Sequence, residues 1–394
     1  MKKVKGTIIS PKGFLAAGIA CGIKKSGKKD LALIHSGVPA AAAAVFTTNK
    51  FKAAPVIISQ HQIRSGIAQT IVVNSGNANA ATGKQGIADA SSMIDATALA
   101  LKIPKSNILV ASTGIIGEAL PMEKIIPGIK KVVQALPKGK GIDAARAILT
   151  TDKTIKQIVV KAGDYKIAGI TKGSGMICPA MATMLAFITT DAKIDGALLK
   201  KMLKQAAQNS FNQLSVDNCM STNDCVIALA NGVSGYEVRG KREEVKFLEA
   251  LEHVCIYLAK EIARDGEGAT KMIEVRVAGA RTKKEAALAA KRIINSALFK
   301  AAVFGRDLNW GRIIAALGST RVSYDPNYLD IYAEGIPIFV DGQGHDVTTA
   351  QKKRIFKKKD IIFLVDLKVG DCSAEAWGCD LSYDYVKINA RYHT

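Results

Sequence analysis

Two kinds of hydrophobic spacing follow one another in this chain, beginning with "TIVVN" (Thr70 to Asn74), a continuous β-branched run of the kind that forms a buried strand. After a turn of small and amide side chains, "GIADASSMIDATALAL" places Ile87, Ala90, Ile94, Ala98 and Leu101 on one helical face. The change recurs. "NILVAS" (Asn107 to Ser112) ends at Thr113 and Gly114, and "PMEKIIPGIKKVVQAL" then reads as a helix. Further on, "GALLKKMLKQAAQNSF", "EEVKFLEALEHVCIYLAKEIARDGEGA" and "KKEAALAAKRIINSAL" read as amphipathic helices, while "MIEVRVAGA", "DIYAEGIPIFV" and "DIIFLVDL" each read as a strand. A chain that keeps switching period in both halves, without a solenoid repeat or low-complexity linker, predicts an α/β fold in layers.

With 394 residues, 48% of them hydrophobic, the chain can bury one large core or two ordinary ones. No apolar run reaches the roughly 18 uncharged residues of a membrane helix, and the glycines and lysines after the first apolar patch argue against a signal peptide. Seven dispersed cysteines without a CxxC pair predict reduced thiols in a cytoplasmic protein. Five scattered histidines, none spaced as a ligand pair, supply no metal motif. The net charge of +21 invites a nucleic-acid reading. Its lysines come in short dispersed clusters and aromatics make up only 6%, so a solvated surface is favoured over a nucleic-acid partner. Such a surface can still steer anionic small molecules. The glycines of "KGSGM" fit neither a phosphate-binding loop nor a dinucleotide fingerprint. "NSGNANAATG" (Asn74 to Gly83) suits either a tight turn or a structured loop beside a site.

"KGSGMICPAMATMLAFITTDA" (Lys172 to Ala192) is small, Met-rich and nearly uncharged, with a lone hydroxyl, Thr183, where the loop meets a strand. A threonine at a strand start is ordinarily structural. As a nucleophile it needs a base, and no histidine or carboxylate is near in sequence. Cutting the bond between Ala182 and Thr183 would supply one, because the freed α-amine titrates near 8. An acyl-transfer nucleophile also needs an oxyanion hole, and the strand end "VASTGIIG" can offer a hydroxyl and a turned backbone N–H.

That segment resembles the cleavage and nucleophile region of the glutamate N-acetyltransferase (ornithine acetyltransferase) family of arginine biosynthesis. "NSGNANAATG", "VASTGIIG", "ILTTDKTIK", "VDNCMSTND", "ARDGEGATK", "FGRDLNWGRI" and "AWGCDLSYDYVKINARYHT" carry the same resemblance, in family order from Asn74 to Thr394. The resemblance implies a layered α-β-β-α architecture of the N-terminal-nucleophile type with a second, smaller α/β domain. It implies self-cleavage into an α chain, residues 1–182, and a β chain, residues 183–394, which remain together as an α2β2 heterotetramer. It implies acetyl transfer from N2-acetylornithine to L-glutamate without a cofactor or metal, and leaves acetyl-CoA open as a co-substrate. Thr183 corresponds to the acetylated nucleophile, and Thr113 and Gly114 to the oxyanion pair. Thr150, Lys172, Thr183, Glu267, Asn389 and Thr394 correspond to the substrate-binding positions, with Thr151 a near alternative to Thr150.

The chain departs from the family pattern at Ala180, where asparagine is usual, at Ala81 and at Leu308. Two other readings follow from the residues: an N-terminal-nucleophile aminopeptidase or amidase with water as acceptor, and a basic nucleic-acid-binding protein.

Overall fold

A computed structural model of the chain describes residues 1–177 and 184–391. Ala180, Ala182, Thr183 and Thr394, singled out above, lie outside the described residues.

The strand Leu31–Phe46, 16 residues long, organises the first half of the molecule. Its ladder to Ile67–Asn77 shifts register between His35 and Ala40. The intervening "SGVP" accounts for the shift, because Pro39 has no N–H to give a ladder and Ser36 Oγ turns back to donate to the Val38 carbonyl (2.7 Å). Before the break the strand pairs with Phe14–Ile19, and after it with Cys225–Ala230. Nine strands join in this sheet among the described residues. Along its main path they run Lys2–Val4, Lys156–Ala162, Tyr165–Lys172, Leu185–Thr190, Cys225–Ala230, Leu31–Phe46, Ile67–Asn77 and Ile108–Ile115.

Because the sheet folds over at the long strand, its two halves stack face to face. Alternate residues of each half meet in one apolar layer: Ile34, Ile71, Val73 and Leu109 from one side, Ile170, Phe187, Ile227 and Leu229 from the other. The residues between them point outward. Leu33, Val72 and Val110 pack under helices Gly83–Leu101 and Met122–Ala135, whereas Val160, Ile188 and Val226 pack under Gly196–Gln208 and Lys241–Arg264. Helix, sheet, sheet, helix is the layering expected from the resemblance.

Among the described residues a seven-stranded sheet forms the smaller α/β unit, with Met272–Ala280 between Asp360–Asp366 and Cys372–Cys379. Helix Lys241–Arg264 joins the two units, since its buried face shares a core with Ile167 of the first sheet and with Met272, Trp377 and Cys379 of the second.

Two elements differ from the sequence reading. "KKEAALAAKRIINSAL" is two helices, Lys283–Ile294 and the start of Ala297–Phe304, because Ser296 takes an extended backbone and its side chain caps the Phe299 N–H. "DIYAEGIPIFV" is a hairpin of Asp330–Ala333 and Ile336–Val340. Glu334 and Gly335 turn it with φ of +51° and +76°, the pairing of signs that matches strand twist.

Candidate active site

Parallel strands Ile67–Asn77 and Ile108–Ile115 run side by side to an irregular end at Gly76, Asn77 and Gly114. Gly114 has a φ of +139°, and a Cβ there would lie 2.2 Å from the Gly76 carbonyl carbon. Only glycine fits that crossing, which turns the backbone beside Thr113 into a cavity of about 160 Å³. The amides of "NSGNANAATG" brace this end: Asn77 Nδ2 donates to the Ala119 carbonyl (3.0 Å) and Asn79 Nδ2 to that of Gly86 (2.9 Å). Asn79 and Gly83 also take positive φ (+49° and +59°), so the segment is at once a tight turn and a braced loop beside the cavity. Ser112 Oγ also donates to Asn74 Oδ1 at 2.5 Å.

Lys172, the last residue of strand Tyr165–Lys172, enters the same cavity and donates from Nζ to Thr113 Oγ1 at 3.2 Å. A hydroxyl that accepts this bond keeps its own proton for another acceptor, the arrangement an oxyanion donor requires. Burial pulls the Lys172 pKa down, while Asp152, Asp224 and Glu267 favour its charged form. Asp152 is held in turn by Lys156, a fully buried lysine whose Nζ lies 2.7 Å from Asp152 Oδ1 and 2.5 Å from Asp265 Oδ2. Burial opposes ionisation of Asp152, but Lys172 and Lys156 outweigh it and keep its carboxyl well below the usual carboxylate range. The Asp152 carboxylate then accepts the N–H groups of Gly173 (2.7 Å) and Thr150 (3.0 Å), which sets two cavity walls at once. Thr150 and Thr151 both line the cavity. The Thr151 hydroxyl is engaged with Ser174 Oγ at 2.7 Å.

Glu267 faces the cavity from the turn after helix Lys241–Arg264, its N–H donating to the Ser174 carbonyl (2.7 Å). Its Oε2 accepts from Asn389 Nδ2 at 2.9 Å, which brings in helix Tyr383–Arg391. Gly175 passes so close that a Cβ there would sit 2.3 Å from Glu267 Oε2. Thr113, Gly114, Thr150, Lys172, Glu267 and Asn389, separated by up to 276 residues along the chain, thus share one cavity.

Both flanks of residues 178–183 are also fixed at this cavity. Before them, Asp217 accepts the N–H groups of Met176 (2.6 Å) and Ile177 (2.8 Å) through its two oxygens. After them, Cys225 N–H donates to the Met184 carbonyl at 3.0 Å and Leu185 pairs with Cys225. Met176 and Met184 both line the cavity. Sequence reasoning did not single out Asp217, Asn223 or Asp224 among the cavity residues, although "VDNCMSTND" contains them all. Asn223 Nδ2 bridges the carbonyls of Ala78 (2.6 Å) and Ser112 (2.8 Å), a role visible only once those strands are assembled.

Among the described residues no group of histidine, cysteine and acidic side chains could hold a metal ion. No described helix is long and apolar enough to cross a membrane.

The ArgJ family profile matches residues 15–394. The arginine biosynthesis bifunctional protein ArgJ of Caldanaerobacter subterraneus subsp. tengcongensis is 49% identical over the whole of both chains, and that of Listeria monocytogenes 47%. A crystal structure of the Bacillus halodurans protein of the same name is 41% identical, with a TM-score of 0.52. The match takes in 100% of that chain and 53% of this one. With residues of most of its motifs lining one cavity, and relatives of this identity along its full length, the chain belongs to the ArgJ family.

Proposed function

We propose that this chain is a self-cleaving acetyltransferase of arginine biosynthesis that moves acetyl from N2-acetylornithine to L-glutamate through an ester on Thr183. One observation carries the reading: Lys172, Thr113 and Gly114 share a cavity with Met176 and Met184, which flank residues 178–183. The names of the relatives place them in arginine biosynthesis.

After cleavage the Thr183 α-amine takes the hydroxyl proton, and Oγ bonds to the acetyl carbon of acetylornithine. The Thr113 hydroxyl and the Gly114 N–H receive the oxyanion. The C–N bond breaks, the α-amine returns the proton to the departing ornithine nitrogen, and glutamate's amine then reverses these steps. Lys172 pairs with a substrate carboxylate and Glu267 with a substrate ammonium, so opposite charges orient the amino acid before attack. Thr150, Asn389 and Thr394 complete the substrate site. The exchange consumes no cofactor. The word bifunctional in the relatives' names supports a second acetyl donor, acetyl-CoA, loading the same threonine.

The fragments 1–182 and 183–394 stay together as a cytoplasmic α2β2 assembly on this reading. The solved Bacillus halodurans chain matches over a length close to that of the second fragment, which supports a cut near residue 182. Thr183→Ala is expected to give one uncut, inactive chain. A denaturing gel and the intact mass after incubation with acetylornithine check this. Two fragments from the variant, or no acetyl adduct on the wild-type Thr183 fragment, would refute the scheme.

A further inference from the structure

Self-cleavage has a proton problem that acetyl exchange does not. In the exchange, the free α-amine of Thr183 is the base. In the uncut chain that nitrogen is the amide of the very bond to be broken, and an amide nitrogen is no base at neutral pH. Another group has to take the Oγ proton and deliver it to the departing nitrogen.

Met184 follows Thr183 directly, and its strand, Leu185–Thr190, runs parallel to Cys225–Ala230 with Leu185 opposite Cys225. One residue before that pairing begins, Asp224 stands level with Met184, and the two strands are already bonded there through Cys225 N–H and the Met184 carbonyl. Asp224 lines the cavity and is 3% exposed. Its Oδ2 has no hydrogen-bond partner, the only buried carboxylate oxygen in that state among the described residues. A buried polar atom left unpaired is costly, so a vacant carboxylate beside a reacting segment calls for a role. The other ionisable groups nearby are engaged. Asp217 holds the Met176 and Ile177 N–H groups, Glu267 holds Asn389, and Lys172 donates to Thr113. Among the described residues no histidine lines the cavity.

We propose that Asp224 carries the proton during self-cleavage, an inference that rests on the reading of Thr183 above. The Asp224 carboxylate takes the Oγ proton as Oγ bonds to the Ala182 carbonyl carbon. The Ala182–Thr183 C–N bond breaks and the nitrogen receives that proton, leaving an ester on Oγ and a free α-amine. Water then adds to the ester and the C–O bond breaks, giving the Ala182 carboxylate and the Thr183 hydroxyl. Burial pushes the Asp224 pKa well up, and the Ser221 hydroxyl and Lys172 draw it part of the way back. Besides Lys172, the charged or titratable groups among the described residues that share its cavity are Glu267, Asp217, Cys219 and Tyr385. A raised carboxyl is a stronger base than an ordinary aspartate and still a competent acid once protonated.

The full-length chain, synthesised cell-free and sampled over time at a series of pH values, tests this on denaturing gels. The wild-type cleavage rate should rise with pH as Asp224 ionises and then level off. Asp224→Asn, nearly the same size, should slow cleavage about 10²-fold or more, the usual contribution of a positioned acid–base group. Asp224→Glu keeps the carboxyl in a changed setting and should cleave with its pH limb displaced. Asp224→Asn cut at the wild-type rate, or a limb unmoved in Asp224→Glu, overturns the proposal. The underlying reading fails separately, by a wild-type chain that stays whole or a Thr183→Ala chain that is cut.

Discussion

Gly114 shows how little latitude single residues have at this site. Its φ of +139° and its contact with Gly76 leave no room for a methyl group, so Gly114→Ala must displace the strand end that presents Thr113. The strained backbone costs about 1–3 kcal/mol, and a displaced oxyanion donor typically lowers kcat by about 10²–10³. A lower melting temperature together with slowed acetyl transfer is therefore expected, and wild-type rates in the variant would show that Gly114 does not shape the oxyanion site. The same scale separates Thr113 from its neighbours, because Lys172 occupies its acceptor side and leaves its proton to donate.

Buried charge as well as apolar contact ties the elements of the site together. Lys156 begins the strand Lys156–Ala162, and Asp265 closes helix Lys241–Arg264, so their ion pair ties an element before residue 182 to one after it. Removing one member of a buried pair leaves uncompensated charge and costs about 3–5 kcal/mol. Lys156→Met should lose stability on that scale in a denaturant titration. Its Thr150 and Gly173 walls should loosen too, since both hang on Asp152. A loss under about 1 kcal/mol would mean that the pair is solvated and weak. Most elements were legible from periodicity, as at Thr70 to Asn74 and Ile87 to Leu101. The exceptions were local: Ser296 interrupts an apolar face that continues across it, and Glu334–Gly335 turns a run that otherwise reads as one strand. In each case the local backbone conformation overrode a hydrophobic pattern that resumes beyond it.

At the scale of the whole molecule, the strands on either side of the predicted cut are neighbours in one sheet. Tyr165–Lys172 is hydrogen-bonded to Leu185–Thr190, which is hydrogen-bonded to Cys225–Ala230, and that strand pairs with Leu31–Phe46. A cut near residue 182 breaks one covalent bond and leaves these ladders and the shared apolar layer in place. The two fragments should therefore co-elute in a one-to-one ratio under native conditions and melt in one cooperative transition. Separation on native gel filtration would contradict the interleaved sheet.

By itself the sequence determined the alternation of strands and helices and the family resemblance, and through that resemblance it pointed to Thr113, Gly114, Thr150, Lys172, Glu267 and Asn389, because period, turn chemistry and motif order are written locally. Only the tertiary structure decided that the long strand shifts register between His35 and Ala40, that Asp217 holds the backbone at Met176 and Ile177 while Asn223 joins Ala78 to Ser112, and that Asp224 has an unpaired oxygen. Each of those depends on which segments become neighbours, and burial and hydrogen-bond satisfaction exist only after they do.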